Sequence, residues 1–239
     1  LHSIMPLHIA IPTFNRVDTF KKKTYTKIIK YYNLEKYVCL FIQTDKDARD
    51  YRLEFPELKQ VRSPKGYIKT LNFITDYYKK NDKIIKMDDD ITRIVSVRNG
   101  KLKKVKSAYD LFNKTFGIMN NVGATLGGFY PAMNPKFMEG RPPITTDLRF
   151  IVGCLYCFVN KKIKVSIDGK SDYEFTIENY KLTGKVVRLN NYSISYDFGD
   201  NTERTGHDTM KLYNKYKDYI SKTIEHKTGT TSFVLKKNP

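Results

Sequence analysis

Short apolar runs alternate with stretches of helical periodicity along the first third of the chain. His8-Ile9-Ala10-Ile11 predicts a strand that leaves through the polar turn Pro12-Thr13-Phe14-Asn15-Arg16. Phe20, Thr24, Ile28 and Tyr31 then fall on one face of a helix, with Asn15 or Asp18 placed to cap it. Residues 37–43 predict a second strand, followed by a turn at Thr44-Asp45-Lys46-Asp47. Residues 61–64 predict a third, and Ile68, Leu71, Ile74 and Tyr78 recur at helical spacing after Lys65-Gly66-Tyr67. The run Lys83-Ile84-Ile85-Lys86-Met87 predicts a buried strand that ends abruptly in Asp88-Asp89-Asp90-Ile91. Strands alternating with helices predict a parallel sheet with crossover helices. Residues 1–91 are therefore expected to form a nucleotide-binding half of an α/β domain, and residues 92–239 the other half.

The remainder is less regular. Residues 93–106 form a basic, alternating ribbon with a hairpin turn at Asn99-Gly100. A helix is expected from Ser107 through residue 121, and a strand over residues 123–130, where three glycines imply close backbone approach. Residues 135–146, with Gly140, Pro142 and Pro143, predict one long irregular loop, a lid or part of a groove. Residues 153–160 predict a strand. Ser171-Asp172-Tyr173-Glu174 is expected to precede a helix over residues 175–182, which Gly184 stops. A closing strand spans residues 186–194. Arg204-Thr205-Gly206-His207-Asp208 opens a last helix with Met210, Tyr213, Ile220 and Ile224 turned inward.

Composition narrows the class. A chain of 239 residues with 40 % hydrophobic and 13 % aromatic content can fill a core. It holds no apolar run long enough to span a membrane, and its start is too short and uncharged to predict a secretory signal. In a strand the odd spacing of Cys154 and Cys157 would put them on opposite faces, against a shared metal. A reduced, cytoplasmic setting is the expectation. The formal net charge is +18, from 43 basic and 25 acidic residues. AT-rich coding explains many of the 33 lysines, but it would raise Asp and Glu as well, so a polyanionic partner such as nucleic acid is expected.

Three adjacent aspartates repel one another, and a hard divalent cation relieves that repulsion. Strand alternation would point Asp88 and Asp90 to one side and Asp89 to the other. A solvated acidic turn is the plainer alternative. Asp172 and Glu174 at a helix start are ordinary caps by themselves, and His207 an ordinary surface residue.

Taken together, "IPTFNR", "KMDDDI", "DYEFTIENYKLTGKVVRLNN" and "RTGHDTMKLYNKY" resemble the TET-associated glycosyltransferases, the group that includes the base J glucosyltransferase. The resemblance implies a single GT-A-like (Rossmann-like) α/β domain with a mixed sheet flanked by helices. It also implies transfer of a sugar, commonly glucose from UDP-glucose, onto 5-hydroxymethylpyrimidines in DNA. Mn²⁺ or Mg²⁺ would be held by Asp88, Asp90 and His207. The donor would lie against Pro12, Thr13, Asn15, Arg16, Thr44, Lys65, Gly66, Asn72, Asp88 and Asp89. Asp172, or else Glu174, would be the catalytic base. A GT-A enzyme acting on a glycan or protein, and a non-catalytic basic DNA-binding module, remain as alternatives.

Overall fold

The computed structural model describes residues 7–196, 205–226 and 231–239, with the backbone alone for residues 205–207. Strands β1 (Leu7–Thr13), β2 (Val38–Ile42), β3 (Lys59–Arg62) and β4 (Lys83–Met87) are joined by helices and pair in parallel in the order β3-β2-β1-β4. The sheet continues past β4 through β9 (Leu155–Val159), β7 (Leu126–Tyr130), β10 (Val187–Tyr196), β5 (Ile91–Arg98) and β6 (Lys101–Lys104). β9 runs antiparallel to both β4 and β7, so β4, β7 and β10 point the same way and their C-terminal ends share one edge. The fold is thus a mixed ten-stranded sheet between two helical layers.

Burial on both faces explains why these strands are continuously apolar. Ile9, Ile11, Ile85 and Met87 face a core completed by Phe20, Ile28, Tyr51, Phe112 and Phe116, while Ala10 and Ile84 face Ile74 and Phe175. Helices α1 (Val17–Phe20, continued by Lys21–Lys30), α2 (Asp45–Glu54) and α4 (Ala108–Val122) therefore cover one face, and α3 (Tyr67–Tyr77) and α6 (Ser171–Thr183) the other. Helix α4 begins where expected, Ser107 accepting a hydrogen bond from the Asp110 N–H at 3.1 Å. Asn99 and Gly100 both take positive φ, as the expected hairpin between β5 and β6 requires.

Several expectations are corrected. Helix α1 starts as an α-helical turn, Val17–Phe20, and continues as a π-helical stretch, Lys21–Lys30. Neither Asn15 nor Asp18 caps it; Arg16 occupies that position without a side-chain cap, and Asn15 adopts φ 54° in the turn before. The wider π-helical turn buries Ile29 and leaves Tyr31 55 % exposed. The turn expected at residues 44–47 is the start of helix α2, capped by Thr44, which accepts from the Asp47 N–H at 3.1 Å. Residues 135–146 are not wholly irregular, since they hold the short helix α5 (Pro135–Glu139) and strand β8 (Ile144–Thr145), which pairs with β10. The closing strand β10 is internal, flanked by β7 and β5. Helix α6 already includes Ser171 to Glu174 and ends at Gly184 with φ 69°. The last helix, α7 (Thr205–Tyr216), is shorter than expected, and Ile220 begins the hairpin β11 (Ile220–Glu225) to β12 (Thr231–Leu235). Met210, Tyr213 and Ile224 are exposed, while Leu212, Tyr216 and Ile220 turn inward. Cys154 precedes β9 instead of lying in it, so it joins the same core cluster as Cys157; both thiols are free and buried.

Gly127 and Gly128 of β7 show the close approach expected there. A Cβ on Gly127 would fall 2.7 Å from Met119 Sδ, and one on Gly128 would fall 2.4 Å from Ile151 Cγ2. Ile151 is buried and branched at Cβ, so it has little freedom to yield. Gly128→Ala should cost about 1–3 kcal/mol of stability through overpacking, and urea unfolding at wild-type m-value would measure it.

Candidate active site

The three aspartates fill the turn between β4 and β5, at the C-terminal edge of the sheet. Strand pairing stops at Met87, opposite Leu155, so alternation does not continue through the turn. As a result Asp89 and Asp90 are not on opposite sides: the Arg16 guanidinium bridges them, Nη1 to Asp89 Oδ1 at 2.9 Å and Nη2 to Asp90 Oδ2 at 3.0 Å. Thr13 Oγ1, at the end of β1, donates to Asp89 Oδ2 at 2.7 Å and lies 2.5 Å from the Tyr51 hydroxyl. Thr24 of α1 clasps the backbone of the turn, donating to Asp88 O and accepting from Ile91 N–H, both at 2.8 Å. Asp88 N–H donates to Cys154 O at 2.8 Å.

Asp88 is paired with a residue the sequence reading passed over. Lys86 is 1 % exposed, and its ammonium donates to Asp88 Oδ1 and, at 2.6 Å, to Gly153 O. The rings of Tyr67 and Tyr156 lie 5.4 and 5.9 Å from it. The available signal was a lysine inside an apolar strand, because a buried ammonium requires a counter-charge. Burial works against the Lys86 charge, but Asp88 beside it holds its pKa well above the ordinary value. Burial also raises Asp88, and it pushes Asp89 up to about 7 despite Arg16 and the Thr13 hydrogen bond.

Gly153 connects this cluster to Asp172. Its carbonyl takes the Lys86 proton bond, and a Cβ on it would fall 3.1 Å from Asp172 Cβ. Asp172, in the first turn of α6, accepts from the Tyr173 N–H at 2.9 Å. Burial raises its pKa, against the opposing pull of the Tyr173 and Gly153 backbone, Lys170 and Lys86. With Lys86, Tyr67, Asn72 and Tyr156 it lines a narrow cavity of about 20 Å³, room for about one water.

Glu174 lies two residues on and has a different environment. It is fully buried and accepts from Ser166 N–H (2.6 Å), Ser166 Oγ (2.8 Å), Ile167 N–H (2.9 Å) and Lys215 Nζ (2.7 Å). Burial opposes its charge, yet Lys215 and those donors hold its carboxyl below the usual range. Glu174 thus ties α6 to α7 and to the segment before α6, away from the aspartate turn.

The other expected donor residues divide. Pro12 is buried in β1 beside Thr13. Asn15 N–H donates to Asp47 Oδ2 at 3.1 Å, and Lys65 lies 5.8 Å from the Phe14 ring, so both border the first turn. Gly66, with φ 111°, donates its N–H to Gln43 Oε1 at 2.7 Å and precedes α3. Thr44 is occupied as the α2 cap. Asn72 commits both ends of its carboxamide to Val165, at 2.8 and 2.9 Å. His207 lies in the first turn of α7, and its side chain is outside the described residues.

Among the described residues no group of three or more His, Cys, Asp or Glu side chains is arranged around a common metal position. The turn nonetheless suits a hard divalent ion. Three carboxyl groups share only two cations, Arg16 and Lys86, and Asp88 is 28 % exposed. One or two carboxylates completed by substrate phosphates is an ordinary Mg²⁺ or Mn²⁺ environment.

No protein-family model matches the sequence, and no curated protein matches it. Solved structures do. A glucosyl-3-phosphoglycerate synthase from Mycobacterium tuberculosis, in complex with Mn²⁺, UDP-glucose and phosphoglyceric acid, matches 97 % of this chain and 87 % of its own, with TM-score 0.60 and 10 % identity. The fold is that of GT-A glycosyltransferases. The mannosyltransferase PcManGT from Pyrobaculum calidifontis, in complex with GDP-mannose and Mn²⁺, matches 77 % of this chain with TM-score 0.50 and 13 % identity. S. aureus TarS matches 88 % with TM-score 0.54 and 12 % identity. The chain spans 54 % of the mannosyltransferase and 66 % of the TarS chain.

The Glu174 network yields a stability prediction. Glu174→Gln places an amide among N–H and O–H donors and leaves buried groups unpaired, at about 2–3 kcal/mol. A carboxyl held below its unfolded value stabilises above that value, and the contribution is lost as pH falls through the folded one. Wild type should therefore lose stability across the carboxylate range more steeply than Glu174→Gln, as thermal unfolding against pH would measure.

Proposed function

We propose that the chain is a metal-dependent glycosyltransferase that moves a sugar, glucose from UDP-glucose, onto the hydroxymethyl group of 5-hydroxymethylpyrimidines in DNA. One observation carries the reading: Lys86 and Gly153 join the Asp88–Asp90 turn to Asp172 at the C-terminal edge of a GT-A-like sheet. The complexes of similar structures with Mn²⁺ and UDP-glucose or GDP-mannose support the donor class. The resemblance of the sequence motifs supplies the DNA acceptor, and the net charge of +18 agrees with it.

Residues 1–91 would hold the donor and residues 92–239 the acceptor. Asp88 and Asp90, with His207, would hold the divalent ion, which supplies counter-charge to the diphosphate as it leaves. Arg16 keeps Asp89 and Asp90 in register and Thr24 fixes their backbone. Asp172 accepts the proton of the acceptor hydroxyl as its oxygen bonds the anomeric carbon; the carbon–phosphate oxygen bond breaks and its electron pair leaves with the nucleotide. Its raised pKa makes it a stronger base than an exposed aspartate. Glu174, saturated by its donors, takes no part in the chemistry.

Incubation of hydroxymethylated DNA with UDP-glucose and Mn²⁺, read by nucleoside mass spectrometry, should yield a glucosylated nucleoside. A chelator should abolish it, and activity in excess chelator would remove the metal from the mechanism. Asp172→Asn should reduce turnover by roughly 10²–10⁴-fold at unchanged melting temperature. The base must be ionised, so turnover should fall with decreasing pH at a point above the ordinary aspartate range, and that limb should vanish in Asp172→Asn. DNA affinity should fall steeply with salt, by about 0.9 in log K per log salt for each phosphate neutralised; a flat response would point to a neutral glycan or protein acceptor.

A further inference from the structure

Arg188 is a cation the proposed chemistry does not use. Along β10, Val187 and Leu189 face the α4 layer, whereas Arg188 and Asn190 face the opposite layer, beneath the segment from Arg141 to Phe150. Arg188 is 6 % exposed. Its Nε donates to Asn190 Oδ1 at 2.8 Å, its Nη1 reaches Phe150 O at 3.5 Å, and its guanidinium carbon lies 5.2 Å from the Tyr130 ring centroid. The same ring receives Arg141, 5.4 Å from the centroid, whose Nε donates to the Tyr130 hydroxyl at 3.2 Å. Arg149 is the third member, and it occupies Asp147 through Nε at 2.9 Å and Nη2 at 2.8 Å.

The cluster therefore holds three guanidinium groups and one carboxylate. Among the described residues no carboxylate oxygen lies within 4.0 Å of Arg188 or Arg141. A buried arginine that serves only packing is ordinarily paired with a carboxylate, because an uncompensated charge is costly to bury. Here burial, with Arg149 and Arg141 nearby, lowers the Arg188 pKa to about 10, although Tyr130 and Asp147 pull it upward. The guanidinium fork matches phosphate oxygens better than any other common anion group. The position also has meaning. Phe150, whose carbonyl meets Arg188, stacks on Tyr173 with centroids 4.1 Å apart, and Tyr173 follows Asp172. The excess charge is thus one aromatic contact from the helical turn that carries the proposed base.

We propose that Arg188 and Arg141, which flank the Tyr130 ring, bind a phosphate group of the acceptor together with the neighbouring Arg149. Resting on the function proposed above, that phosphate is the backbone phosphodiester beside the modified pyrimidine; a small phosphorylated acceptor offers the same chemistry. The cluster fixes the acceptor relative to Asp172, with Arg149 and Arg141 as the solvent-side arms.

The test measures binding of a short hydroxymethylated duplex by fluorescence anisotropy, and of inorganic phosphate by ³¹P NMR line broadening. Arg141→Gln and Arg149→Gln should each weaken duplex binding by roughly tenfold, as expected for loss of one charge-assisted contact. Lys80→Gln, an exposed lysine ahead of β4 at the opposite edge of the sheet, should change it less than about twofold. Inorganic phosphate should compete with the duplex better than chloride at equal ionic strength. Arg188→Lys keeps the charge and loses the fork, so it should weaken phosphate binding as well, and melting temperatures separate misfolding from lost contacts. Unchanged duplex binding in both Gln variants, or phosphate competing no better than chloride, overturns the site while leaving sugar transfer to DNA standing. If no duplex is bound but phosphate is, and Arg149→Gln removes that binding, the site stands and the DNA acceptor falls.

Discussion

Three adjacent carboxylates at the end of a buried strand are the constraint on which the rest of the structure depends. Two like charges about 4 Å apart cost ~4 kcal/mol at an effective dielectric near 20, so Asp88, Asp89 and Asp90 cannot share a turn without counter-charge. The chain supplies it from two directions. Arg16 reaches over from the β1–α1 turn to Asp89 and Asp90, and Lys86 rises from within β4 to Asp88. Each cation also ties the turn to another element, since Lys86 holds Gly153 and Arg16 precedes α1. Lys86 thus both holds the fold together at this edge and lines the narrow cavity beside Asp172.

Asp172 and Glu174 show how far environment outweighs position. They stand two residues apart in one helical turn, yet the carboxyl of Asp172 is raised by burial and that of Glu174 is lowered by Lys215 and three donors from Ser166 and Ile167. A carboxylate with every lone pair engaged is a structural anchor, whereas one raised by burial beside a cavity is suited to take a proton. Glu174 in turn fixes α7, the helix that carries His207, against α6, the helix that carries Asp172.

Lysine and arginine divide the positive charge by kind as well as number. With 33 lysines, the bulk of the +18 is a field of hydrated point charges suited to long-range attraction of a polyanion. The arginines in fixed geometry do local work: Arg16 bridges two carboxylates, and Arg188 and Arg141 flank one tyrosine ring. Diffuse positive charge and fixed local geometry therefore come from different residues.

Elements held by local chemistry were legible in the sequence. The β1-to-β4 alternation, the Asn99-Gly100 hairpin, the Ser107 cap, the Gly184 stop and the location of the aspartate turn each follow from residues a few positions apart. Mixed cues mislead: Ile220 and Ile224 fit both a helical and a strand period, so β11 resembles helix in the sequence, and Cys154 belongs to the apolar run but lies one residue before the strand itself. The orientation of the aspartates was decided by partners far along the chain, with Thr13 and Asp89 separated by 76 positions and Lys86 and Gly153 by 67. No periodicity encodes such pairings. The sequence by itself determined that carboxylates would crowd the end of a buried strand; only the tertiary structure decided which cation each would face, because a charge buried in the fold takes whichever partner packing brings within hydrogen-bonding reach.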